Sequence, residues 1–394
     1  MWHNLRLYFS HLPTASVGTA FILMSLVFGT WITQIPDIKA QTGLSDGELG
    51  LALLGMPIGG ITMMTFMGPL IHRFGAGKIT WISSTLYILS LIPPALATGI
   101  VSLTVTLVLM GSSAGAMDVA MNAAAATLEK QQKRLIMSTS HALFSFGGMI
   151  GAGIGSLVVG FGVSTLIHFV LVSAVLLVVT IIFRSSWLAI TDHKEGSHRW
   201  SWPTRSLLLL AFIGFCALLS EGAIADWSAI YIRETLGGSA FLGGLGFAGF
   251  SLTMAVGRFY GDILIPKLGA GIVAKWGGLI AAFSLGTALL LAKPGLAILC
   301  FTLTGLGLSC VVPIIFSIAA SIPGTSPGSG IASVSSMGYL GFMVGPPAIG
   351  FVAEEFGLSY GLSLVVLLCL MIAVSATKVT FGSTMPAGRK ANNK

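Results

Sequence analysis

Gly68-Pro69-Leu70-Ile71-His72-Arg73-Phe74-Gly75-Ala76-Gly77-Lys78 is a short basic turn set between two long apolar runs. Glycines there permit a tight turn and close approach of the flanking helices. The basic residues mark a loop kept on the side of a membrane where Lys and Arg collect. The same punctuation returns at an offset of 194 residues. Gly75-Ala76-Gly77 falls on Gly269-Ala270-Gly271, Gly111 on Gly305, and Gly147 and Gly151 on Gly341 and Gly345. One offset serving three separate helix pairs describes a chain built as two similar halves.

A membrane span needs about 20 apolar residues. Such runs lie near 14–36, 48–71, 79–98, 101–126, 136–160, 163–184, 206–232, 241–264, 272–292, 295–321, 329–352 and 358–380. Composition agrees, because 55% of the 394 residues are hydrophobic and only 8% are charged, whereas a soluble domain carries about a quarter charged residues. The expected fold is therefore all-α and integral to a membrane, with twelve transmembrane helices in two pseudo-symmetric six-helix bundles. Residues 1–184 form the first bundle, 185–205 a polar linker, and 206–394 the second bundle. Six helices per half give a parallel repeat about an axis along the membrane normal, the design of transporters that rock two bundles around a midplane site.

The net charge of +7 sits in short loops, not on one soluble face, which argues against a nucleic-acid partner. Arg73, Lys78, Lys130, Arg184, Lys194, Lys267 and Lys378 fall on one side with both ends of the chain, and Lys39, Arg233 and Lys293 on the other. Both termini and the linker are accordingly expected on the cytoplasmic face of the cell inner membrane. Met1–His11 is short and carries polar and aromatic residues, so the first span is expected to act as its own uncleaved signal. Cys216, Cys300, Cys310 and Cys369 stand singly in apolar stretches, without metal-ligand or disulfide spacing. No phosphate-cradling loop, HExxH or nucleophile–base pair is present, so no enzyme activity, cofactor or metal is expected.

The loop Gly68–Lys78 resembles the signature G-x-L-x-D-R-x-G-R-K/R of the major facilitator superfamily, with His72 standing where that family has Asp. The second half echoes it in Gly257-Arg258 and Asp262-Ile263-Leu264-Ile265-Pro266-Lys267-Leu268-Gly269. Gly115-Ala116-Met117-Asp118-Val119-Ala120-Met121-Asn122, Ser140-His141-Ala142-Leu143-Phe144-Ser145-Phe146-Gly147 and Glu221-Gly222-Ala223-Ile224-Ala225-Asp226-Trp227-Ser228 look like the YbjJ-type branch of that superfamily, related to fucose permeases. The resemblance implies that Asp118 binds sugar or the coupled proton beside Asn122. The first-helix acid of those permeases has Ile32 in its place.

An ionisable residue inside a span costs about 2.5–3.5 kcal/mol and so marks function by default. Asp118 and Asn122 are four residues apart and share a helix face, while His141 and Ser145 return to about the same depth on the next helix. Asp118, Glu221 and His141 are the expected proton-coupling residues. Asn122, Glu221, Trp31, Gln34, Phe144, Ser145, Trp227 and Tyr339 are the expected substrate contacts, because rings and amides suit sugars and other polar organic solutes. Asp226 is expected to pair with Arg233 at the rim, and His168 to lie at the membrane interface. By the repeat, Asp118 corresponds to Val312, Glu221 to Val27 and Asp226 to Ile32, so the fold itself does not need these acids. Gly341 to Pro347 is expected to break or bend its helix, and is similar to the glycine-proline motif of drug antiporters.

The expected function is secondary active transport, by alternating access, of a small polar, sugar-like organic solute coupled to protons. The partners are that solute, protons and the lipid bilayer, and a monomer is expected. Proton-driven efflux of amphipathic compounds, or a receptor with a transporter fold, are the alternatives.

Overall fold

The computed structural model describes residues 8–132, 136–190, 207–319, 322 and 327–377, without the side chains of 130, 138, 262 and 327–333. Most of the linker, and the basic residues Lys194 and Lys378, lie outside these. Among the described residues there is no strand, and twelve helices are long and apolar enough to cross a membrane. They are α1 Leu12–Thr42, α2 Asp46–Phe74, α3 Ala76–Leu96, α4 Ile100–Glu129, α5 Thr139–Gly160, α6 Thr165–Leu188, α7 Leu208–Thr235, α8 Ala240–Gly261, α9 Ala270–Leu291, α10 Pro294–Ala319, α11 Val334–Phe356 and α12 Leu358–Ala376. Lipid offers no hydrogen bonds, so each backbone satisfies itself as a helix. Side-chain hydroxyls return to their own turn, as Ser84 does to Thr80 O at 2.6 Å. The four cysteines are buried, and among the described residues none forms a disulfide.

Packing repeats the duplication. In the first half α1 lies on α5, and α4 on α2 and α3; in the second α7 lies on α11, and α10 on α8 and α9. Gly75 and Gly269 adopt matching conformations, with positive φ of 84° and 88°, and each starts the helix that follows. Gly111 packs on the backbone of Met56, and Gly305 on that of Phe250, the same position one repeat later.

The repeat is not uniform, however. Gly29 packs against Gly148 on α5, and Gly222 against Phe342 on α11. The α5–α11 pair keeps the offset of 194 (342 − 148), while the α1–α7 pair is offset by 193 (222 − 29). The extra residue is absorbed at the end of α7, where Tyr231–Thr235 forms a π-helical turn. Beyond it Gly43 and Gly237 share a φ of 66°, and Ser45 and Ser239 cap the next helices in the same way. Glu221 therefore corresponds to Phe28 and Asp226 to Thr33, a correction to the uniform register read from sequence. The widened turn carries Arg233 and Glu234, and wide turns of this kind often mark function.

The halves meet chiefly through α5 on α8 and α2 on α11. Small residues let backbones touch there. A Cβ added to Gly50 would lie 2.6 Å from Pro346 O, and one on Gly350 would lie 2.5 Å from Asp46 O. Both contacts fall at the end of the bundle that carries Gly43 and Gly237. Helix α11 is continuous through Pro346 and Pro347, so the expected break is absent. Proline still removes donors, and the carbonyls of Phe342 and Met343 lose their usual helical partners.

Candidate functional site

A cavity of about 320 Å³ lies between the halves, walled by α1, α2, α4, α5, α7 and α11. Its polar wall residues are Asp118, Asp226 and Tyr339; Phe28, Phe144, Phe342, Met24, Met56 and Met64 supply much of the rest. Asp118 stands on α4, contributed by the first half, and Asp226 on α7, contributed by the second. Asp226 lies one turn beyond Gly222, towards the end where the halves close. Both acids are half-buried, and Asp226 makes no hydrogen bond or ion pair among the described residues.

Asn122 donates its amide to Asp118 O at 2.9 Å and to Asp118 Oδ1 at 3.2 Å. It thereby orients the carboxylate from the same helix and is itself not on the wall. Phe144 and Tyr339 are on the wall as the sequence suggests, and the Tyr339 and Phe342 rings are 6.4 Å apart. Asp118 and Tyr339 line the same cavity from opposite halves.

Other expected site residues are placed elsewhere. Trp31 and Trp227 are fully buried in the packing, each with an indole N–H lacking a partner among the described residues. Gln34 donates to His168 Nδ1 at 2.8 Å and accepts from Thr165 at 2.8 Å, tying α1 to α6 inside the first half. His168 is thus a buried residue, 2% exposed, and not an interfacial one, because Gln34 gives its ring a polar partner within the bundle. His141 is exposed, with its ring 5.1 Å from that of Phe21. Phe144, one turn along the helix, takes the place beside Asp118 that His141 is expected from sequence to hold.

Glu221 faces a cation that the expected site does not include. Arg258 Nη2 of α8 lies 3.7 Å from Glu221 Oε2, and Arg258 Nη1 donates to Ser145 on α5 at 3.2 Å. Glu221 and Ser145 are brought together by Arg258, behind the cavity wall and across the boundary between halves. Asp226 and Arg258 are the residues that sequence reasoning misses. The signal for Arg258 is present, since an arginine within an apolar run needs a buried partner. Asp226 is concealed by its expected pairing with Arg233.

Arg233 in fact binds Asp37 of α1, with Nη1 and Nη2 donating to the two carboxylate oxygens at 2.8 and 2.6 Å. The π-helical turn aims Arg233 across the boundary, and so leaves Asp226 to the cavity. Lys39 of α1 bridges Glu234 at 2.5 Å and Asp46 of α2 at 2.7 Å. These pairs form an ionic clasp over one end of the cavity, and an open depression lined by Pro36, Lys39, Arg233 and Glu234 lies beside it.

The Major Facilitator Superfamily profile matches residues 17–205 and 210–393, one match for each half. An uncharacterised MFS-type transporter of Yersinia pestis is 32% identical over 93% of this chain and 95% of its own. Membrane protein MosC of Rhizobium meliloti is 33% identical, over 93% of this chain and 89% of its own. Among solved structures, a point mutant of the nucleoside transporter NupG superimposes with a TM-score of 0.72 at 12% identity, covering 93% of this chain and 98% of that one. The D-xylose-proton symporter does so with 0.68 at 16% identity, covering 93% and 98%. A point mutant of the Escherichia coli fucose:proton symporter does so with 0.61 at 17%, covering 92% and 97%. These structural likenesses show the fold, and the profile with the curated relatives shows the family: this chain belongs to the Major Facilitator Superfamily.

Proposed function

We propose that this protein is a proton-coupled secondary transporter that carries a small organic solute through the cavity between its halves by alternating access. The observation that carries the proposal is the cavity itself: one acid from each half faces it, and a clasp of cross-boundary ion pairs closes one end. Breaking the clasp and closing the opposite end is the rocking motion that such a site requires. Asp118 is the proton carrier in this reading, because Asn122 holds its carboxylate on the wall without neutralising it. A proton there balances a charge that is costly in the membrane interior.

The one-sided distribution of Lys and Arg supports an inner-membrane protein with both termini cytoplasmic, acting as a monomer. The clasp then lies on the outer face, and the conformation is closed outwards. A cysteine at Ser197, labelled from outside intact cells, tests this orientation; labelling there would reverse it. The apolar wall favours a second reading, proton-driven efflux of amphipathic compounds, over the sugar-like solute expected from the resemblance to fucose permeases. Solute flux in proteoliposomes under an imposed pH gradient tests both: saturable flux that follows the gradient is expected, and its absence for a solute that binds would refute transport.

A further inference from the structure

We infer that the cavity selects an organic cation, an amine or quaternary ammonium carried on an apolar body. The inference rests on the transport reading of the same cavity and adds to it the chemistry of the solute. Three features of the wall point the same way. Among the described residues it holds two carboxylates, Asp118 and Asp226, and no Lys, Arg or His. Arg258, the cation that stands behind the wall, is engaged by Glu221 and Ser145, and Arg233 and Lys39 are held in the clasp.

The wall is also rich in acceptors and poor in donors. Beside the two carboxylates, the carbonyl of Phe342 has lost its helical donor to Pro346. The Tyr339 hydroxyl is the sole side-chain donor among the wall residues. A polyol presents a donor and an acceptor on nearly every carbon, and hydroxyl oxygens left unpaired when the site closes are costly. This wall can accept from their hydrogens but offers their oxygens a single side-chain donor. An ammonium group needs only acceptors and counter-charge.

The remaining lining fits the rest of such a molecule. Phe28, Phe144, Tyr339 and Phe342 present rings to the cavity, and a cation over a ring gains about 0.5–2 kcal/mol. The volume of about 320 Å³ is at the low end of the roughly 300–1,000 Å³ of ligand pockets, so the solute is compact. Asp226 is the anchoring residue of the two, since Asn122 already binds Asp118 and nothing described binds Asp226.

The test is calorimetric binding to the purified protein of benzyltrimethylammonium, its neutral isostere neopentylbenzene, benzoate and D-xylose. Benzyltrimethylammonium is expected to bind about tenfold or more tighter than the neutral isostere. In Asp226→Asn, with Asp118 and the rings still in place, the ratio is expected to fall about threefold or more. Asp226→Glu keeps the charge and retains the preference, and it carries the test where the Asn variant does not fold. Equal binding of cation and isostere, tighter binding of D-xylose, or no saturable binding of the cation overturns the inference. Flux in proteoliposomes separates the two claims. Cation binding without flux refutes transport and leaves the cation site standing, whereas flux of a neutral or anionic solute without cation preference does the reverse.

Discussion

Arg233 grips Asp37 through two hydrogen bonds, of 2.8 and 2.6 Å, across the boundary between the two halves. A one-residue expansion of the last turn of α7 aims the guanidinium there. Parallel, bidentate pairing is the strongest geometry available to a carboxylate and a guanidinium. With both side chains part-exposed, at 19% and 33%, the pair contributes about 1 kcal/mol to closure, or about a fivefold shift between conformations. Asp37→Asn or Arg233→Gln should raise the reactivity of a cysteine at Leu53, a cavity residue 2% exposed here, towards a maleimide added from the clasp end. The exchanged pair, Asp37→Arg with Arg233→Asp, should restore protection. Unchanged reactivity in both single variants would show that the clasp does not hold the end shut. The four native cysteines are buried and give little background.

Glycine contacts should bias the same equilibrium without any change of charge. Gly50→Ala and Gly350→Ala each place a methyl within 2.6 Å of a carbonyl oxygen on the opposing helix, so α2 and α11 cannot approach fully. Gly295→Ala, with nothing within 4 Å, is the control. The first two variants should label faster at Leu53→Cys while the control does not. Equal labelling of all three would place the closing contact elsewhere.

Gln34 should prove structural. Gln34→Leu strips partners from His168 and Thr165 and should lower thermal stability by about 1 kcal/mol, the usual worth of such bonds between membrane helices. Solute affinity should not change. A selective loss of affinity at unchanged Tm would return Gln34 to the substrate site.

Glu221 and Arg258 should behave as a pair. Removing one partner leaves a charge uncompensated in the membrane interior, while removing both is far milder. Glu221→Gln and Arg258→Gln should each lose folded, monodisperse protein, and the double variant should recover much of it. A double variant worse than either single would mean that each residue acts alone.

The division of the fold was legible in the sequence because it depends on composition and on glycine spacing. Apolar runs of membrane length, and basic loops between them, leave few alternatives. The Gly75 and Gly269 turns are fixed by backbone conformation that only glycine adopts readily, so their repeat survives in sequence. Asp118 was legible for a related reason, as a lone acid within an apolar helix. The wall as a whole was not. Which face of α1 or α7 meets the cavity depends on helix rotation, and a rotation error of one residue moves a side chain by about 100°. The π-helical turn introduces such a shift, invisible to hydropathy. Depth along α7 makes Glu221, and not Asp226, look like the cavity residue in sequence, and Asp226 looks like a rim partner of Arg233, while Trp31, Gln34 and Trp227 look like contacts. Pairing partners such as Asp37 with Arg233 are 196 residues apart and become apparent only when the halves are docked.

The central claim is that solute movement is driven by protons carried on Asp118. Solute accumulation and solute exchange, compared in proteoliposomes of the wild type and of Asp118→Asn, test it most directly. Exchange of labelled for unlabelled solute needs no net proton release, whereas accumulation against a gradient does. The account predicts that Asp118→Asn keeps exchange and loses accumulation under an imposed pH gradient. Accumulation at the wild-type level in that variant would contradict it.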